Sequence, residues 1–275
     1  VEVKPYSLIA NLNEEAVYSP SVVVAANDTA LIPFFTIIDL GKFKSQRREI
    51  SQADFFLSTE SSQTEDFLQK PILINDINSW DGKVANLHYF VKRDFDFSSS
   101  YAKSILQKYK NELEEISTEL KIFAQTKILF NEFVKTMVYV ADPRASVDRV
   151  QFPNETLQLK GGDCDDLSVL LSSLLESIGI QTAFVDYKNE SGVGHVNLLV
   201  NTQLKPEQSN FITNNDKKIV IRKNGSNEDE IWIPIEATLL KSFDSAWSAA
   251  SEKFEKEALE EFGLAKNNVE IIDIN

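Results

Sequence analysis

The chain has 275 residues, 43% hydrophobic and 25% charged, proportions ordinary for a globular protein able to bury one large core or two modest ones. Its formal charge of −14 is the wrong sign for nucleic acid or an anionic membrane surface, both of which select basic patches. No apolar run reaches the ~18 residues a membrane-spanning helix needs, and a single cysteine excludes an internal disulfide while leaving the redox compartment open. A start at Val1 rather than methionine fits a mature periplasmic or extracellular protein whose leader has been removed. It fits a piece of a longer chain equally well.

Residues 1–97 read as β. Runs rich in Val, Ile, Phe and Tyr at 1–12, 21–39, 53–58 and 84–97 are separated by turn-formers such as Asn27-Asp28, Asn75 to Asn78 and Asp81-Gly82. Short strands at this spacing predict a β-sandwich-like domain. No cluster in it carries chemistry. His88, inside Leu87-His88-Tyr89-Phe90-Val91, reads as a hydrogen-bonded or surface histidine of a strand.

From Ser99 the period changes. Ile105, Tyr109, Leu113, Ile116, Leu120 and Phe123, then Leu129, Phe133, Val134 and Met137, follow helical spacing. One long helix or two consecutive ones are expected over 98–140, stopping before Asp142-Pro143. Without strict heptads this is a core-facing connection rather than a coiled coil or membrane-active segment. Residues 142–160 are polar, contain two prolines and read as an ordered loop.

The third region, 141–275, turns on Gly161-Gly162-Asp163-Cys164-Asp165-Asp166-Leu167. Leu167, Leu170, Leu171, Leu174, Leu175 and Ile178 form one apolar helical stripe, closed by Gly179. Asp163 reads as the N-cap, with Asp166 approximating a capping box. Cys164 then takes the first helical position, where free N–H groups favour a thiolate. Most lone cysteines are small buried apolar residues, but one flanked by Asp163 and Asp165 is poorly placed for that. The same carboxylates raise a thiol pKa, so a cation is needed, and a histidine is the usual one.

Downstream, residues 180–187 read as a strand. In the strand at 195–201, His195, Asn197, Leu199 and Asn201 share one face and Val196, Leu198 and Val200 the other. A polar excursion with a strand at 219–222 follows. Ile231, Ile233 and Ile235 then alternate with Trp232, Pro234 and Glu236, and a helix is expected over 242–262. If the strands at 195 and 230 pair antiparallel, His195 and Glu236 come to the same end in space. Both are then able to face the cysteine helix, with Glu236 orienting the ring and His195 facing Cys164. The expected fold class is α+β, a helix packed on an antiparallel sheet, preceded by the sandwich-like domain and the helical connection.

Together, Gly162-Asp163-Cys164-Asp165-Asp166-Leu167, Ile178-Gly179-Ile180, Gly194-His195-Val196 and Trp232-Ile233-Pro234-Ile235-Glu236-Ala237-Thr238 resemble the transglutaminase-like cysteine enzyme superfamily. The lead-in Val150-Gln151-Phe152-Pro153-Asn154-Glu155-Thr156-Leu157 is similar to that of its bacterial branch. The resemblance covers roughly residues 120–260. It implies a papain-like core and a cysteine, histidine and acid triad that hydrolyses peptide or amide bonds or transfers acyl groups from glutamine to amines. Carried onto this chain, Cys164 is the nucleophile, His195 the base and then the acid, and Glu236 the orienting acid where aspartate is more frequent. Gln151 is the candidate oxyanion donor by analogy with papain-like enzymes, and an ordinary polar loop residue otherwise.

Other readings are weaker. A zinc site needs paired ligands at short spacing, and none occurs. The acidic run Asp163, Asp165, Asp166 could bind calcium, as in some adhesin-cleaving relatives. It lacks the alternating ligands and central glycine of an EF-hand loop, so no cofactor is expected. Nothing singles out a glycosidase carboxylate pair. The serious rival is an inactive binding module on the same fold. An intact triad favours an enzyme acting on protein or peptide, and within that reading hydrolysis is preferred to cross-linking. The acidic charge hints at a neutral or basic substrate.

Overall fold

The computed structural model describes residues 1–9, 15–35, 49–60, 66–93, 96–141, 149–188 and 194–274. The chain divides into two compact units, Val1–Ser79 and Trp80–Asn275.

The first unit comprises β1 (Glu2–Ile9), β2 (Val17–Tyr18), β3 (Val22–Val23), β4 (Glu49–Ser58) and β5 (Asp66–Ile74). All pairings are antiparallel: β1 takes β2, β3 and β4, and β4 takes β5. Directly opposed aromatics tie the sheet together on one face, with Tyr18, Tyr6, Phe56 and Phe67 stepping across β2, β1, β4 and β5 at centroid separations of 5.2, 4.7 and 4.9 Å. Ile9, Ala53 and Ile74 make a small buried cluster. Among the described residues this unit is a single sheet, with no second sheet packed on it as a sandwich requires. The expected strand at 21–39 is reduced to β3, and its last residues lie outside those described.

The boundary between the units falls at Ser79, not near residue 97. The expected strand at 84–97 begins instead with a 3-10 helix, Val84–Tyr89. Val84, Leu87 and Phe90 recur every third residue and enter the core of the second unit. A helix of three residues per turn puts such positions on one side. His88 accordingly sits on a helical turn, with Nδ1 2.6 Å from the Ala85 carbonyl.

The helical region resolves into α1 (Asp96–Lys108), α2 (Lys110–Glu115) and α3 (Lys121–Thr136), followed by β6 (Val138–Tyr139). Within the expected loop lies α4 (Pro153–Leu159). Proline is at home at its first position, Glu155 accepts from the Phe152 N–H at 2.7 Å, and Lys160 ends it with φ of 56°. Then come β7 (Gly161–Gly162), α5 (Cys164–Glu176), β8 (Thr182–Tyr187), β9 (His195–Asn201), β10 (Val220–Lys223), β11 (Asp229–Ile235), α6 (Phe243–Lys253) continued by π-helical turns at Phe254–Glu260, α7 (Gly263–Lys266) and β12 (Val269–Asp273).

The second unit is mixed helix and sheet. Its five-stranded sheet is antiparallel throughout, in the order β10-β11-β9-β8-β12, and β6 and β7 form a separate parallel pair. Val196, Leu198, Val200, Ile231, Ile233 and Ile235 pack with the leucines of α5, and also with α1 and α3 residues such as Ile105, Phe130 and Phe133. Leu199, Tyr187 and Trp232 face the other way, onto Phe254, Ala258 and Val269. The sheet is thus covered on both sides.

Helix α5 is the centre of the unit. Every residue from Asp165 to Leu175 is buried, more than the single stripe in its sequence implies. Two of its serines are satisfied locally: Ser173 donates to the Val169 carbonyl, and Ser172 shares a hydrogen bond with Thr182 at 2.7 Å. Each fully buried leucine contributes roughly 1.5–3 kcal/mol, so this helix fixes the position of its own first turn.

Candidate active site

Cys164 is the first residue of α5, and Asp163 caps it with an extended backbone and a side chain that accepts from the Asp166 N–H at 3.5 Å. The reciprocal half of a capping box is not made. The Asp166 carboxylate accepts instead from the Gln151 N–H at 2.7 Å, which ties the segment before α4 to the helix start. Neither Gly161 nor Gly162 has a positive φ, so their role is close approach rather than a turn. A Cβ on Gly161 would lie 2.9 Å from the Val138 carbonyl oxygen, and one on Gly162 would lie 2.6 Å from an Asp166 carboxylate oxygen.

The thiol is partly exposed. Burial pushes its pKa up, and the nearby Asp165 and Asp163 carboxyls add to the rise. Opposing them, the Val196 N–H, the amide just after His195, hydrogen-bonds the sulfur. Cys164 Sγ also lies 3.5 Å from Asp165 Oδ1. Asp165 is itself pushed up to about 9, by burial first and then by its hydrogen bond to Asp163. At neutral pH it is therefore protonated, which weakens its repulsion of a thiolate. Without an added positive charge the thiol remains neutral.

His195 opens β9 and Glu236 follows β11. The antiparallel register runs from Trp232↔Asn201 to Ile235↔Leu198, which carries Glu236 alongside the first residues of β9. His195 Nε2 and Glu236 Oε2 lie 2.6 Å apart. Burial works against the ionised carboxylate. The hydrogen bond and charge of His195, together with Thr238, outweigh it and lower the Glu236 pKa. Oε1 accepts from both the N–H and the hydroxyl of Thr238. With the carboxylate ionised, Nε2 carries the proton and donates, leaving Nδ1 as the available base.

The structure thus brings His195 and Glu236 together and sets Cys164 against the backbone of β9 one residue beyond His195. Gln151 is fixed near the helix start through its backbone, and its side-chain oxygen is buried with no hydrogen-bond partner among the described residues. Two residues escaped the sequence reading. Thr238 was legible in principle, as a hydroxyl two positions after an acid. Tyr139 on β6 is held above its ordinary pKa by burial first and then by its nearness to Cys164, Asp163, Asp165 and Glu236, which sets one phenol within electrostatic reach of both sides of the site. No sequence pattern marks it. For a cation, Asp163, Cys164 and Asp165 offer ligand atoms within 4.8 Å of one another, though a protonated Asp165 is a poor ligand.

The second unit thus sets a helix-start cysteine against the backbone of the strand that His195 opens, and pairs that histidine with a carboxylate at the end of the neighbouring strand. Residues 77–205 match the family model described as a transglutaminase-like domain. That match includes Cys164 and His195 and ends before Glu236. Among solved structures, one from Cytophaga hutchinsonii described as a "Putative Cysteine Protease" is similar at 11% identity and a TM-score of 0.31, covering 87% of this chain and 74% of that one. A search of curated proteins finds no significant match.

Proposed function

We propose that the second unit is a cysteine-dependent hydrolase or acyl transferase acting on peptide or amide bonds. The observation that carries this reading is the 2.6 Å bond between His195 Nε2 and Glu236 Oε2, formed where the β9 backbone meets the Cys164 sulfur. In this reading the Cys164 proton passes to His195 Nδ1, and the sulfur attacks the carbonyl carbon. The resulting oxyanion is held by the Cys164 N–H with Gln151 as second donor. His195 returns the proton to the leaving amine, giving a thioester. Water, deprotonated by His195, then releases the acid; an amine in place of water makes the same chemistry a transfer. Glu236 keeps the ring oriented and stabilises the imidazolium that offsets Asp163 beside the thiolate. The acidic surroundings favour a neutral or basic substrate, and the compartment in this reading is periplasmic or extracellular.

Iodoacetamide labelling at pH 6 tests the ion pair. Cys164 is expected to react at least about tenfold faster than a free thiol and to lose that advantage in His195→Ala. Slow, His195-independent labelling would favour a binding module built on the same fold. Peptide libraries screened with and without added amine then separate hydrolysis from transfer.

A further inference from the structure

Asn197 lies two residues past His195 on β9 and is fully buried. The register Ile235↔Leu198 sets it across the ladder from Glu236. The two ends of an asparagine amide are assigned from the hydrogen bonds around them. With Nδ2 turned toward the site, it lies 2.7 Å from Glu236 Oε2, 2.9 Å from His195 Nε2 and 3.2 Å from the Val196 carbonyl oxygen. The opposite orientation would set the amide oxygen against a carboxylate and a carbonyl, three acceptor oxygens with no proton among them. Nε2 already carries the proton it donates to Glu236, so the Asn197 N–H belongs to the carboxylate.

We propose that Asn197 is a positioning residue: its amide holds Glu236 Oε2 while Thr238 holds Oε1, fixing the carboxylate that orients His195, a role that rests on the cysteine–histidine reading above. Behind it stands Tyr187, opposite His195 in the β8–β9 register. The Tyr187 hydroxyl is buried with no hydrogen-bond partner among the described residues and lies near the Asn197 amide. With Nδ2 facing the carboxylate, Oδ1 is the end of the amide turned away from the His195–Glu236 pair. A buried carboxylate stripped of one donor can rotate about its last bond, and the imidazole moves with it. Small misplacements of a catalytic base cost orders of magnitude in rate.

The test is the imidazole 15N–1H spectrum of His195, with His88 as internal control because the chain has only two histidines. In the wild-type protein the ring is expected as one tautomer, protonated at Nε2. In Asn197→Ala, both tautomers are expected, with the Nε2 proton exchanging with water about tenfold faster and Cys164 alkylation falling by about tenfold. Asn197→Asp, close to isosteric but with no N–H to give, should move both readouts in the same direction. A folded Asn197→Ala with unchanged tautomer and exchange overturns the assignment. If that variant does not fold, an unchanged ring signature in Asn197→Asp overturns it instead. Loss of the cysteine–histidine reading is separately visible, as alkylation of the wild type that His195→Ala does not slow; the ring spectra still decide the role of Asn197.

Discussion

The two units solve the same problem with unequal means. The first relies on a sheet whose buried cluster is Ile9, Ala53 and Ile74, supported by an aromatic ladder on the other face. Its last strand, β5, exposes Phe67, Leu68 and Leu73. The second unit sinks a whole helix: α5 is surrounded by α1, α3, α4, β8 and β9, and its leucines are at most 1% exposed. The difference teaches where precision is kept. The candidate site sits at the end of the most deeply packed element, while the described sheet of the first unit leaves apolar side chains exposed along its edge strand.

That contrast can be broken most directly by matched truncations. Leu170→Ala is expected to lower unfolding free energy by roughly 3–5 kcal/mol, because α5 cannot collapse onto the void from any side. Ile74→Ala, at the rim of a cluster of three, is expected to cost less than about 2 kcal/mol. Denaturant melts with hydrogen exchange resolved by unit check this, and equal losses would remove the distinction. A finer probe is Gly162→Ala, whose Cβ would lie 2.5 Å from the Asp166 Cβ. Overpacking here is expected to cost about 1–3 kcal/mol and to loosen the segment that Asp166 holds through Gln151. A probe of a different kind is pH. Asp165 is pushed up to about 9, whereas an unfolded aspartate releases its proton near pH ~4. Between those values the folded state binds more protons, so stability falls as pH rises through the window. Asp165→Asn should therefore gain on wild type in thermal midpoint from pH 5 to 9, and a gain independent of pH would contradict the protonated carboxyl.

The sequence disclosed the elements that carry the candidate site more fully than the elements around them. Cys164, its cap and the α5 stripe were legible because a cap and a 3.6-residue period are local signals. The strand starting at His195 and the alternation ending at Glu236 were legible as a period of two. Failures came where a local signal was weak or shared. Val84, Leu87 and Phe90 lie among β-branched and aromatic neighbours, so their spacing of three was hidden in a strand-like composition. Pro153 read as a loop marker although it opens α4. Strand β5 went unnoticed because Lys70-Pro71 interrupts it; it is an edge strand, where proline is tolerated. Strand β12 follows the last helix too briefly to show a period. Asn197 was placed on the right face, but its bond to Glu236 depends on a register between strands, which no single segment encodes.

The hydrogen bond from the Val196 amide to the Cys164 sulfur has a consequence for the life of the chain. The amide that meets the sulfur and the imidazole that pairs with Glu236 sit on consecutive residues of one strand, and the acid arrives only with a later one. Until β9 and β11 have zipped into alignment, His195 lacks its carboxylate. A newly made or damaged copy would thus hold these groups apart, and they meet only once the sheet has closed.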